Sequence, residues 1–277
     1  MLISDLIGGA FSALRANKLR SGLTTLGIVI GVGAVVAMMA MTSGFETYIN
    51  EQFSGLGSNT FQIQKRPAMR LGGGRHMGKW RKRKDITLAN AAAVRERDEA
   101  ARFVGAELWA FGGMVRSRYG ETPANVTVAG GTPEFASNNG YDIGYGRNLN
   151  AFDILHERNL VVIGADLAES LFPYSSSIGH NVVFGGRRFQ VIGVFAAKGS
   201  FFGIGSRDNF VLIPVTAFIR IYGKNRSVNI TVQALNPELF SLAKDRAIQI
   251  MRQERRLKPG QENNFDTFSN ESIIDTV

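Results

Sequence analysis

Residues 23–41 read LTTLGIVIGVGAVVAMMAM, inside a longer run from Ser21 to Phe45 that contains no charged side chain. A helix rises ~1.5 Å per residue, so this stretch spans roughly 28 Å, close to the hydrocarbon thickness of a bilayer. Its Leu, Ile and Val residues each contribute about −0.3 to −0.6 kcal/mol near a membrane centre, summing to about −3 to −4 kcal/mol. One buried Lys, Arg or Asp would nearly cancel that sum. The segment predicts a transmembrane helix. Arg15, Lys18 and Arg20 precede it, and after it no Lys or Arg occurs until Lys65. That bias puts the amino end in the cytoplasm and the bulk of the chain outside, in the periplasm or extracellular space. A cleaved signal peptide fits poorly, because the apolar stretch is too long and no clean Ala-x-Ala site follows it. No second span is evident, and a single helix offers no pore.

The outer portion is long enough to bury a core of its own. Its composition, 44% hydrophobic and 20% charged, is ordinary for a globular chain. Cysteine is absent, which excludes disulfides, thiol catalysis and cysteine-based zinc sites. The net charge of +9 is unevenly spread. Between Lys65 and Lys84 lie nine Lys/Arg and no acid. Lys79, Trp80, Arg81, Lys82, Arg83 and Lys84 are candidates for contact with anionic lipid headgroups, at ~1 kcal/mol per basic residue near the surface. A solvated loop is the blander alternative. Nucleic acid is not an expected partner of an extracytoplasmic segment.

Along the chain, residues 1–20 predict an amphipathic helix on the cytoplasmic face, with Ile3, Ile7, Ala10, Phe11 and Leu14 on one side. Gly27 and Gly31 form G-x-x-x-G in the span, a surface on which another helix can pack closely. Beyond Met41, Phe45, Tyr48, Ile49 and Phe53 continue at helical spacing until Gly55 and Gly57. They predict a stalk, a rigid extension of the membrane helix to which coupling is assigned. Strands are expected at 60–64, 106–111, 113–118 and 124–129, and a helix at 87–99 capped by Asp85 or Thr87. Further on come LVVIG, NVVF, FQVIGVFAA and NFVLIPV as strands, ADLAESLF as a helix, a short helix near 215–222 and a strand near 228–234. A last helix has Pro237 in its first turn. The mixture is α+β.

Signatures of catalysis are missing. No G-x-x-x-x-G-K-[ST] loop occurs, and no G-x-S-x-G. His76, His156 and His180 are not spaced as metal ligands. Neither a cofactor nor a metal is expected, and the chain reads as a non-catalytic membrane subunit. The glycine-rich Gly199–Ser206 segment is expected to be a flexible loop.

The segments LRANKLRSGLTTLGIVIGVGAVVAMMAMTSG (14–44) and GLGSNTFQI (55–63) resemble the first span of the MacB/FtsX-like ABC transporter permeases and its exit into their outer domain. VTVAGGTPEF (126–135), GRNLNAFD (146–153), VVIGADLAESLFP (161–173) and IGHNVVFGGRRFQVIGVF (178–195) continue the likeness in order. The resemblance implies a two-lobed extracytoplasmic α/β core domain with a β-rich lobe inserted near 135–225. It implies a homodimer, a separate ABC ATPase subunit, and in some members a periplasmic adaptor. Members drive efflux, extract lipoproteins or regulate cell-wall hydrolases.

The expected organisation is thus a cytoplasmic-face helix at 1–20, the transmembrane helix at 21–45, the stalk at 46–57, the core domain at 58–270, and the start of a second span at 271–277. Family members have three further spans beyond that point, so the resemblance implies an N-terminal portion of a longer permease of a bacterial inner membrane. The competing function is a single-span anchored binding or sensor module that works without an ATPase.

Overall fold

The computed structural model describes residues 17–53, 59–67, 82–199 and 206–269; between Phe45 and Phe53 it describes the backbone of the helix alone. The chain forms two compact units, Met1–Gln52 and Phe53–Val277. The first is carried by α1 (Lys18–Phe53), 36 residues without interruption. It starts inside the segment expected on the cytoplasmic face and runs through Phe45, Tyr48, Ile49 and Phe53. Residues 1–16, 54–58 and 270–277, and with them most of the amphipathic helix and the expected second span, lie outside the described residues.

The second unit is built on one mixed sheet of ten strands. In chain order the elements are β1 (Thr60–Gln64), α2 (Leu88–Arg97), β2 (Ala101–Gly113), β3 (Val126–Gly131), α3 (Phe135–Asn138), β4 (Ile143–Gly146), α4 (Ala151–Leu155), β5 (Leu160–Ile163) and α5 (Ala165–Leu171). They continue with β6 (Asn181–Phe184), β7 (Arg187–Phe195), β8 (Phe210–Pro214), α6 (Val215–Tyr222), β9 (Asn229–Ala234), α7 (Phe240–Glu254) and β10 (Asp266–Ser269). The sheet order is β10-β1-β9-β2-β3-β8-β5-β7-β4, with β6 paired to β7 off that path. Strands from 135–225 occupy one side of the sheet, and strands from the flanking segments occupy the other. The two halves meet where β3 and β8 run parallel, with Val128 beside Val211. The sheet is continuous across these two sets of strands.

Both faces are covered, which explains the unalternating apolar runs LVVI and FVLIP. In β5, Val161 and Ile163 belong to one buried cluster and Leu160 and Val162 to the other; β8 divides Val211 and Ile213 from Phe210 and Leu212 in the same way. The first cluster takes in helices α2, α5, α6 and α7. Phe61 of β1 and Phe240 of α7 meet edge-on within it, ring centroids 5.7 Å apart. The second sets Phe135, Phe195 and Phe210 among aliphatic side chains, with Tyr141 and Trp109 packed at its border.

Local signals hold where they rest on capping and burial. Thr87 caps α2, its hydroxyl accepting from Asn90 N while Asn90 Oδ1 accepts from Thr87 N at 3.0 Å. Asp85 is engaged elsewhere, with Lys65. Pro237 opens a 3-10 turn (Pro237–Leu239), capped by Asn236 Oδ1, that leads into α7. The strands expected at 106–111 and 113–118 need correction. One long strand covers Ala101–Gly113, and it stops where Gly112 takes φ +77°, a conformation that suits glycine. Residues 114–122 then form a tight loop closed by Thr122 N on Val115 O, touching the sheet through a single bridge from Arg116 to Val183.

Candidate functional site

Within Lys18–Thr42 of α1, the most apolar stretch has a mean hydropathy of 2.2 and no buried residue. Leu23, Leu26, Ile28, Val29, Ile30, Val32, Val35, Val36 and Met38 are exposed all around the helix. An apolar surface on every side suits a lipid environment rather than an amphipathic helix lying on a core. Its polar side chains are satisfied internally: Thr25 Oγ1 donates to Ser21 O at 2.8 Å and Thr42 Oγ1 to Met38 O at 2.9 Å. Those bonds remove the hydroxyl penalty in hydrocarbon. Nothing lies within 4 Å of a Cβ built on Gly27, Gly31 or Gly33. The G-x-x-x-G surface is open to a partner helix.

The base of the basic loop is tied down. Lys65 Nζ pairs with Asp85 at 2.6 Å, and Arg83 is held between the Asp266 carboxylate and Lys65 O. Arg255, itself buried, donates to the carbonyls of Lys84 and Asp85. Arg83 is therefore turned into the fold, with its side chain 16% exposed, while Lys82 and Lys84 point to solvent. Lys79, Trp80 and Arg81 lie outside the described residues. The register adds a topological fact. Phe61 pairs with Ser269 and Gln64 with Asp266, so the loop leaves β1 at the end opposite to the one that receives α1.

Elsewhere on the outer domain, a cleft of about 660 Å³ runs between α5, β4 and the 173–178 turn, lined by Phe172, Ile178, Val194 and Tyr145. Asp153 is fully buried and accepts from Arg147 at 2.7 Å and from Arg158 at 3.3 Å. Burial alone would raise its pKa, but the Arg147 bond and the Asn150 N–H outweigh it and hold the carboxyl below its usual value. The group locks the β4–α4 turn and serves structure. His156 Nδ1 lies 2.9 Å from Phe152 O, and His180 stacks on Phe172.

A second buried carboxylate has no such partner. Glu107 of β2 is fully buried. Its Oε1 accepts from Asn139 Nδ2 and from Thr231 Oγ1, the latter at 3.2 Å. Its Oε2 has no hydrogen-bond partner among the described residues. Desolvation pushes its pKa up to about 7, against the pull of the Asn139, Thr231 and Trp109 side chains. No sequence pattern singles out Glu107 of β2, which also carries Arg102.

Residues 21–250 match the family described as the MacB-like periplasmic core domain. The chain belongs to this family. It is a member of the MacB/FtsX-like ABC transporter permeases, anchored in a membrane and carrying an extracytoplasmic α+β domain. The match starts inside α1, so the apolar helix is part of the MacB-like unit. The macrolide export ATP-binding/permease protein MacB of Chlorobium phaeobacteroides is 29% identical over 255 residues, which are 92% of this chain and 38% of that protein. Its namesake from Nitrobacter winogradskyi is 32% identical over 80% of this chain and 33% of its own length. The chain spans about two-fifths or less of these MacB relatives. The periplasmic region of MacB from Actinobacillus actinomycetemcomitans superposes with a TM-score of 0.63 at 18% identity, covering 82% of this chain and 96% of that region. The MacB-like sheet is therefore the fold of the outer domain.

Proposed function

We propose that this chain is the membrane-anchored, N-terminal part of a permease that turns ATP hydrolysis into conformational change outside the membrane. The observation that carries the proposal is the unbroken course of α1. The apolar span Lys18–Thr42 continues as one helix to Phe53, with no proline and with Gly44 as the sole glycine after Gly33. Residues 54–59 then lead into β1, which lies between β9 and β10. A helix carries rotation or translation along its length better than a loop does, so movement in the membrane reaches the sheet. An ABC ATPase is the partner we assign, in keeping with the ATP-binding/permease names of the relatives above. The amino end faces the cytoplasm of a bacterial inner membrane, as the flanking basic residues favour. The relatives named above are called macrolide exporters, and export is the role we assign, with lipoprotein or cell-envelope work as the variant within the same mechanism.

Inserting Gly-Gly between Tyr48 and Phe53 of the full-length permease will abolish transport while ATP hydrolysis persists. Each glycine weakens the helix by about 1 kcal/mol and softens its coupling. Transport at the original rate would defeat the reading. The second expectation concerns assembly: we propose a homodimer packed through Gly27 and Gly31. Gly31→Leu places a large side chain on a surface that is now open and will reduce self-association in detergent or nanodiscs about tenfold. Sedimentation or cross-linking that finds the variant as dimeric as the parent removes this face from the interface.

A further inference from the structure

Gly105 and Glu107 lie on the same face of β2, beneath the short α3 and the residues after it. A Cβ on Gly105 would press on Thr231 Oγ1, and Asn138 Nδ2 lies 3.1 Å from the same point. The missing side chain leaves room for a polar cluster inside an otherwise apolar sheet. Asn138 Nδ2 donates to Thr231 O and Thr231 Oγ1, both at 3.0 Å. Thr231 Oγ1 in turn donates to Glu107 Oε1, and Asn139 Nδ2 bridges Glu107 Oε1 to Phe135 O. Two acceptors in this cluster have no donor: Glu107 Oε2 and Asn138 Oδ1. Both residues are fully buried. Protonation of Glu107 turns one orphaned acceptor into a donor and removes a buried charge in the same step.

The cluster sits at a joint. Asn138 and Asn139 belong to the turn of chain that leaves β3 and enters the half of the sheet built from 135–225; Glu107 and Thr231 belong to β2 and β9 of the other half. We propose that Glu107 is a proton-binding site whose occupied form latches α3 onto β2 and β9, making this joint responsive to pH on the extracytoplasmic side. The surroundings favour the neutral form. On the same face, Lys198 stands over the Tyr141 ring and donates to Asn139 O at 3.1 Å. Asp208 accepts from the backbone of Lys198 and Gly199, and Arg207 O accepts from Tyr141. Arg95 of α2 pairs with Glu134 at the start of α3, and Arg226, after α6, donates to Trp109 O. β3 and β9 bring no charge to this face. The upward shift of the carboxyl to about 7 accords with this environment.

The sign follows from linkage. Closed, the site holds its proton up to about pH 7; open to water, it releases the proton near 4.5, the ordinary value. Opening therefore becomes easier as pH rises between those values and levels off above them. Hydrogen exchange of the full chain in nanodiscs tests this directly. Protection of peptides covering 132–141, corrected for intrinsic exchange, is expected to fall by up to about tenfold per pH unit from pH ~5 to ~7 and then to flatten. Glu107→Gln keeps the shape, cannot ionise and will hold protection level across the range. A level wild-type profile, or the same fall in Glu107→Gln, overturns the proposal. Should that variant not fold, the carboxyl ¹³C shift of Glu107 in the wild type decides: a midpoint near 7 supports the latch, and one near the ordinary carboxylate value sinks it.

Discussion

Gly164→Ala will unfold the outer domain at a markedly lower temperature, by about 3 kcal/mol or more in stability. Gly164 closes β5 and caps α5, and its N–H donates to Phe210 O at 2.9 Å. A Cβ there falls on the carbonyl oxygen of Asp208, far inside contact distance. The neighbour cannot move aside. Asp208 is buried, its carboxylate accepts from Lys198 N and Gly199 N, and its own N–H donates to Ser206 Oγ. The methyl group must displace either this turn or the β5–β8 pairing. In a domain of this size ~3 kcal/mol lowers the melting midpoint by about 6–12 °C. Thermal melts of parent and variant check it; midpoints within ~2 °C would show that the two backbones part without cost. Gly179→Ala, with open space around the new methyl, is the comparison, although its φ of +82° adds a smaller strain of its own.

Val32→Arg will release about half of the chains from the membrane. Val32 lies at the centre of the 23–41 stretch and is exposed on the helix surface. Arg at a helix centre is unfavourable by about 3 kcal/mol, and the lost valine adds a few tenths. The change roughly cancels the −3 to −4 kcal/mol that favours insertion. Insertion should drop from nearly complete to about half, read as the fraction that resists alkaline extraction from membranes. Full retention would mean that the arginine finds water or a counter-charge in the assembled transporter. Val32→Leu should behave as the parent does.

What was legible in the sequence follows from the range of the forces involved. The apolar run 23–41 needs no tertiary context to be read, because its partner is solvent of a different kind. β5 and β8 were legible because strands buried on both faces cannot hide their composition. Thr87 and Pro237 carry their structural meaning within a turn of chain. β4 (IGYG) and β10 (DTFS) were not legible: neither alternates cleanly, and each becomes a strand only because β7 or β1 offers a ladder. The same holds for α3 and α4, four and five residues long, too short for any helical period to register. The basic stretch gave its charge but not its engagement. That Arg83 reaches Asp266, 183 positions away, is a tertiary fact. Glu107 was the least legible of all, since its character comes from what surrounds it: a glycine that makes room, two asparagines and a threonine from three separate segments.

If α1 pulls on the outer domain, as proposed, the pairing near the edge of the sheet sets how that tension enters. Thr60 opens β1 and Ser269 closes β10 at the same end, and β1 is flanked on both sides: Phe61 by Val232 of β9 and by Ser269 of β10. A pull delivered through residue 59 therefore loads two antiparallel ladders in shear, all their bonds at once, rather than unzipping a border strand one bond at a time. The border strand itself, β10, lies beside the loaded one and is bonded to it along Phe61–Gln64. An input along the axis of β1 could then be repeated without fraying the place where the strand is held.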